Sequence, residues 1–222
     1  MVVIGVLIML TGLLMPSVSG SLAAARRSNN LLVARQCHLL IELYCNDHKD
    51  VYPIGDKNAY HAQVKWHEVV LTAGYADHKI VLDGKGMYPG NEDWARFSVS
   101  MAMVYDPKRM MPGRTVDIGD ADSMPIKRSS VAWPQDKGEI VDWHAGSSGP
   151  LDTWCCAQNQ PIGPVVMADG AGTLRRWRDF VAADGGFYVE NSIGYPVLST
   201  WGGIDGRDWP PQSVPIHKEV LP

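Results

Sequence analysis

The apolar and polar positions of this chain fall into three regimes. From Met1 to Pro16 there is no charged residue, and the polar content is one Thr and two Gly. The uncharged stretch continues through small residues to Ala25 and ends at Arg26 and Arg27. About 20 residues cross a bilayer core as a helix, so 1–25 predicts a membrane-spanning segment. From Arg26 to Asn46 there is neither Pro nor Gly, and apolar residues recur at Val33, Cys37, Leu40 and Tyr44. That i, i+4, i+7, i+11 stripe predicts an amphipathic helix, widened by Leu32, Leu39, Ile41 and Leu43. Arg35, Gln36, His38 and Glu42 are expected on the opposite, polar face. The two parts join into one rod of roughly 45 residues and about 68 Å. Pro16 removes one backbone hydrogen bond within it and is expected to bend it. Asn46, Asp47 and His48, then Tyr52 and Pro53, close the helix.

The third regime, 47–222, reads as one α+β domain. A short helix is predicted over Ala59–Ala73, with Ala62, Trp66, Val69, Val70 and Ala73 on one face. Short strand-like runs follow at Lys79–Leu82, Arg96–Val104, Glu139–Asp142, Pro164–Met167 and Phe187–Val189, separated by Gly, Pro and Asp. Asp169 and Gly170 make a tight hairpin turn, with Thr173–Trp177 pairing back onto Pro164–Met167. A long helix followed by short strands is an α+β arrangement, with the amphipathic half of the helix laid across a small antiparallel sheet.

Composition changes little in this picture. Hydrophobic residues make up 45% and charged residues 20%, as in a protein with a true core. A net charge of −4 provides no basic surface, which argues against nucleic acid as a partner. The 22 Gly and 15 Pro imply loops and short strands, and the eight Trp are read as packing residues of a loop-rich core. Cys37 and Cys45 sit eight residues apart on one helix, roughly 12 Å by helical rise, too far for a mutual disulfide. Cys155 and Cys156 are adjacent, and no Cys/His spacing matches a zinc site.

The first 53 residues resemble a known family. VVIGVLI followed by LLMP, small residues, Arg26 and Arg27, then Asn29, Asn30, Leu31, Cys37, Tyr44, Asn46–His48 and Tyr52–Pro53 looks like the N-terminal helix of type IV pilins and type II secretion pseudopilins. It is most like the pilin-like group of planctomycete-type bacteria, although the Asn pair here precedes the Cys. Pro164–Gly170 resembles the C-terminal hairpin of the same group, with His144 as the His that often precedes it. The family pattern opens with a basic leader, a Gly and Phe-Thr-Leu-Ile-Glu-Leu before the valines, and these residues do not precede Val2. The expectation is a start upstream of Met1; the alternative is a copy that has lost processing and assembly.

The resemblance implies a non-enzymatic, membrane-anchored subunit of a type II secretion or type IV pilus-like fibre. It would be single-pass in the inner membrane, with a periplasmic or extracellular body. Val2, Val3, Ile4, Gly5, Val6, Leu7, Ile8, Leu10, Leu13, Leu14 and Pro16 would form the membrane and assembly helix; Val33, Cys37, Leu40 and Tyr44 would pack it on the sheet. Small residues such as Gly5, Gly12 and Ala23–Ala25 allow close approach of neighbouring helices in a membrane. Arg26 and Arg27 would lie on the outer side, against the positive-inside rule. The competing reading is a secreted or periplasmic ligand-binding domain with a cleaved signal peptide, whose apolar region would be Val2–Met15, but no basic segment precedes that region.

Candidate chemistry is sparse. Asp142, His144 and Ser147 or Ser148 are too close in sequence for a hydrolase triad, and no Gly-x-Ser-x-Gly elbow is present. His61, His67 and His78 share a region, and His67–Glu68 begins an H-E-x-x-H without completing it. No catalytic residue, cofactor or metal ligand is expected from these patterns. Ca2+ is the one ion left open, at the acidic, glycine-containing loops Asp83–Asp93 and Asp117–Asp122, where oxygen ligands cluster without EF-hand spacing.

Overall fold

The computed structural model describes residues 2–77, 95–105, 123–142, 163–175, 179–180 and 202–209; at 2–11, 13, 14, 16, 17, 59 and 60 it describes the backbone alone. The chain opens with α1, Val2–Asp47, a helix of 46 residues that runs on through Pro16. It ends where Lys49 and Asp50 both take the left-handed conformation, φ 57° and 66°. The Asp50 N–H closes back on the Cys45 carbonyl at 2.8 Å. Two non-glycine residues with positive φ are held by their neighbours: the Asp50 carboxylate accepts from the Ser129 N–H at 2.9 Å, and its carbonyl accepts from Arg128 N–H at 2.8 Å. The hydrogen bond from Ser129 also sets the Asp50 carboxyl below its ordinary value.

α2, Ala59–Thr72, begins beside Asn58, whose side-chain oxygen takes the His61 N–H at 3.3 Å in the manner of an N-cap. Ala62, Trp66 and Val70 are buried on its inner face as the spacing predicts, Val69 is half-buried, and Ala73 lies exposed just past the helix end. Trp66 is the largest fully buried side chain among the described residues and donates from Nε1 to the Phe97 carbonyl at 2.8 Å, tying α2 to the sheet.

The sheet is a four-stranded antiparallel meander, β1 (Phe97–Val99), β2 (Gly138–Asp142), β3 (Gly163–Met167) and β4 (Gly172–Arg175), in sequence order. β1 is shorter than the Arg96–Val104 run suggested. The chain turns into a 3-10 helix at Met101–Met103, whose apolar residues fill the core without extending the ladder. β3 and β4 form the expected hairpin, with Gly170 at φ 87°. Its connection runs over 168–171, wider than a two-residue turn, and the Asp169 carboxylate caps it by accepting the Ala171 N–H at 2.9 Å. The expected strands Lys79–Leu82 and Phe187–Val189 lie outside the described residues.

α1 lies against β2, β3 and β4, and α2 against β1. One core joins the helices to Phe97, Val99, Ile140 and Val166; a smaller one on the other face joins Val141, Val165 and Met167 to Phe180. The period-2 alternation of Ile140 against Val141 divides the two faces. The face of α1 that meets the sheet centres on Ala34, Cys37, His38, Ile41 and Cys45, all buried, with Val33, Leu40 and Tyr44 half-buried along its margins. Two sequence expectations change here. His38 is not on the polar face but buried. Leu32, Leu39 and Leu43 do not widen the buried stripe; they point outward and are exposed, because a 100° step per residue carries them to the opposite side from Ala34 and Ile41. Among the described residues, no helix is long and apolar enough to cross a membrane. The side chains of Val2–Leu10, Leu13, Leu14 and Pro16, on which that expectation rests, lie outside the description.

Candidate functional site

The most unusual chemistry in the described core is a buried polar cluster between α1 and β2. His38 reaches inward from the helix, and its Nδ1 is hydrogen-bonded to one carboxylate oxygen of Glu139 on β2. The other oxygen accepts the Tyr52 hydroxyl at 2.8 Å. His38, Glu139 and Tyr52 are 4%, 0% and 1% exposed, so the group is closed to solvent.

Local structure explains how each side chain gets there. The registers Gly138–Met167 and Ile140–Val166 leave Glu139 as an extra residue on β2, a β-bulge. A bulge re-aims a side chain, and here it turns Glu139 toward the helix, the side on which Ile140 also packs. The left-handed pair Lys49–Asp50 reverses the chain so that Tyr52 follows, held by its N–H to the Ile126 carbonyl at 3.0 Å. Above the ring lies the β3–β4 turn. A Cβ on Gly170 would come within 2.9 Å of His38 Nε2, and Gly170 already occupies the left-handed region. The Gly170→Ala variant is therefore expected to lose about 1–3 kcal/mol of stability, read as a lower urea midpoint.

An outer ring of charge surrounds the cluster. Glu42 lies 4.0 Å from His38 Nε2 and is bridged by Arg128 at 3.2 Å. Burial pushes the His38 imidazole toward its neutral form, but the hydrogen bond and negative charge of Glu139 outweigh this and hold its pKa above the usual 6.5. Burial, reinforced by the Glu139 charge, holds the Tyr52 phenol well above its ordinary range. Burial also pushes the thiols of Cys37 and Cys45 up to about 12, so both are inert, unpaired core residues. The arrangement fastens a helix, a loop and a strand to one another; it presents no exposed nucleophile.

Two further buried carboxylates stabilise the same sheet. Asp142, at the end of β2, takes a two-pronged contact from Arg96, at 2.8 and 3.2 Å. Asp208 lies 3.4 Å from the Lys137 ammonium, both fully buried, and accepts the Gly138 N–H at 2.8 Å. Burial lowers the Lys137 pKa, opposed by the charge of Asp208.

Of the residues singled out from sequence, Asp142 is thus a structural anion bound to Arg96. His61 approaches Asp56 at 3.4 Å, and buried His67 bonds through Nδ1 to the Val64 carbonyl at 3.0 Å; the structure does not gather them into a site. Among the described residues, no group of three or more His, Cys, Asp or Glu could hold a metal ion. His78, His144, Ser147, Ser148, Cys155, Cys156 and the acidic loops Asp83–Asp93 and Asp117–Asp122 lie outside those residues. Sequence reasoning missed the His38–Glu139–Tyr52 cluster, although the spacing Ala34, His38, Ile41, Cys45 follows one helical face and could have placed His38 inward.

The described architecture is therefore an α+β protein in which a long N-terminal helix is fastened to a four-stranded antiparallel meander. No protein-family model, curated protein or solved structure matches the chain.

Proposed function

We propose that this chain is a non-enzymatic, pilin-like subunit. Residues 1–25 anchor it in the inner membrane as a single pass, and its body faces the periplasm or the exterior. Neighbouring helices pack through the apolar segment into a type II secretion or type IV pilus-like fibre. One observation carries the reading: α1 has two halves with different environments. Every described side chain from Gly12 to Asn29 is exposed, whereas the stretch from Asn30 to Cys45 is docked on the sheet. A helix that extends roughly 40 Å beyond the described body, with Met15, Val18 and Leu22 exposed on it, needs other surroundings than water. The buried clip of His38, Glu139 and Tyr52 supports the same reading, because a body carried on a helix must be fastened to it.

The mature chain is expected to retain residues 1–25 and to remain in the membrane fraction through an alkaline carbonate wash. Mass spectrometry of the mature N-terminus checks this. A terminus between Gly20 and Arg26, with release into the soluble fraction, would replace the anchored subunit with a secreted binding domain.

A further inference from the structure

The outward face of α1 has an order of its own. Taking Met15 as an a position, the a positions of a seven-residue repeat fall at Met15, Leu22, Asn29, Gln36 and Leu43. The d positions fall at Val18, Ala25, Leu32 and Leu39. All nine are exposed. In the docked half, Leu32, Gln36, Leu39 and Leu43 are, apart from Arg35, the only exposed residues between Leu31 and Tyr44. The sheet takes the opposite side of the helix, at Ala34 and Ile41, both f positions. A coiled-coil seam and its f positions lie on opposite sides of a helix, so the body leaves the seam open.

We infer that α1 pairs with α1 of a second copy of this chain, parallel and in register, along the seam Met15–Leu43. Three observations favour this occupant. First, the repeat is sustained over four heptads, and a strict seven-residue period on a 3.6-residue helix is the pattern of a left-handed two-stranded coil. Second, the area suffices. Met15, Val18, Leu22, Leu32, Leu39 and Leu43 are each between 51% and 72% exposed. Covering them on two copies buries roughly 1,200 Å2 in all, the low end of stable specific interfaces; in the anchored chain about half of it, at Leu32, Leu39 and Leu43, comes out of water. Third, the polar interruptions fit. Asn29 and Gln36 occupy a positions, where a parallel in-register pair sets each amide against its own counterpart; a buried polar residue at a fixes register and two-strandedness. At the flanking positions Arg26 faces Ser21 of the second copy and Arg35 faces Leu40; the one like-charge pair, Glu42 with Asp47 past the end of the seam, has its charges met within each body by Arg128 and by the Tyr75 hydroxyl. The antiparallel register that brings Arg35 to Glu42 overlaps only over about 32–43, leaving Met15, Val18 and Leu22 uncovered, and the one that sets Met15 against Leu39 brings Arg26 against Arg26 of the second copy. The inference is separable from the anchored-fibre reading, since residues 29–43 follow the anchor and would pair in a chain of any other function.

The test uses the full chain in mild detergent micelles. Leu32→Cys and Leu39→Cys chains, each mildly oxidised with copper phenanthroline, are expected to give at least tenfold more disulfide homodimer than Arg27→Cys, an f position facing away from the seam. Yields no higher than for Arg27→Cys would overturn the pairing. Mixed chains locate the register. Dominance of Leu32→Cys with Leu43→Cys pairs would mean an antiparallel pair, and of Leu32→Cys with Leu39→Cys pairs a one-heptad stagger; either overturns the in-register seam. A Leu32→Glu/Leu39→Glu chain is expected to dissociate at least tenfold more readily by sedimentation equilibrium, with the near-UV spectrum of its body unchanged. A dimer that survives both glutamates equally counts against the seam.

Discussion

Glu139→Leu should destabilise the body by about 3–5 kcal/mol, the cost of breaking a buried ion pair by removing one partner. The substitution leaves His38 without a counter-charge and the Tyr52 hydroxyl without its acceptor, both in a dry interior. Urea unfolding at pH 6, where the imidazole carries its charge, measures it. Replacing all three members, as His38→Leu, Glu139→Leu and Tyr52→Phe, should recover a large part of the loss, because no unsatisfied group then remains. A triple variant as unstable as the single one would show that packing volume and not polarity sets the effect. The pH dependence has a definite sign. The folded His38 pKa lies above its ordinary 6.5, so the contribution of the clip is complete below pH 6.5 and disappears as pH rises through the raised value. The urea midpoint of the native chain should fall over that window. His38→Gln should show a lower midpoint at acid pH and a flatter profile.

The second large effect belongs to the other fully buried pair. Asp208→Ala leaves the Lys137 ammonium buried with no anion and takes the acceptor from the Gly138 N–H. A loss of about 3–5 kcal/mol follows. Asp208→Asn keeps the acceptor and loses only the charge, so its cost should be smaller, and the difference between the two isolates the backbone bond. Lys137 titrates in the opposite sense to His38. Its folded pKa is depressed by burial, so the unfolded chain binds more protons between the folded value and 10.5, and stability rises with pH across that interval. Asp208→Ala should extend this rise to lower pH, and a pH profile without it would mean that Lys137 escapes to solvent.

Much of the frame was legible from local signals. α1 could be read because its first part is apolar throughout and its second part repeats with helical period. α2 could be read from the spacing Ala62, Trp66, Val70, and the β3–β4 hairpin from Gly170 after an apolar run. What escaped depends on residues distant in sequence. His38 looks like an ordinary polar position until Glu139 is brought beside it, and nothing local to Glu139 marks the bulge that turns it inward. Leu39 and Leu43 could be assigned to the buried stripe because an apolar helix residue does not say which of two faces is covered. The Lys137–Asp208 pair spans two loop-flanked segments with no shared motif. β1 stopped early because Met101–Met103 are apolar enough for a strand yet pack better as a turn of helix filling the core.

The clip also bears on the order in which the chain completes itself. His38 and Glu139 are 101 residues apart in sequence, and Tyr52 and Glu139 are 87 apart. Contacts of such span form slowly, because the loop between them must close before they return any energy. α1 emerges from the ribosome before the sheet and stays without its counterpart until β2 has been synthesised and bulged. Through that interval its inward face, with Cys37, His38 and Ile41, stands open, and it is then that a chaperone or a sister chain has its opportunity to bind.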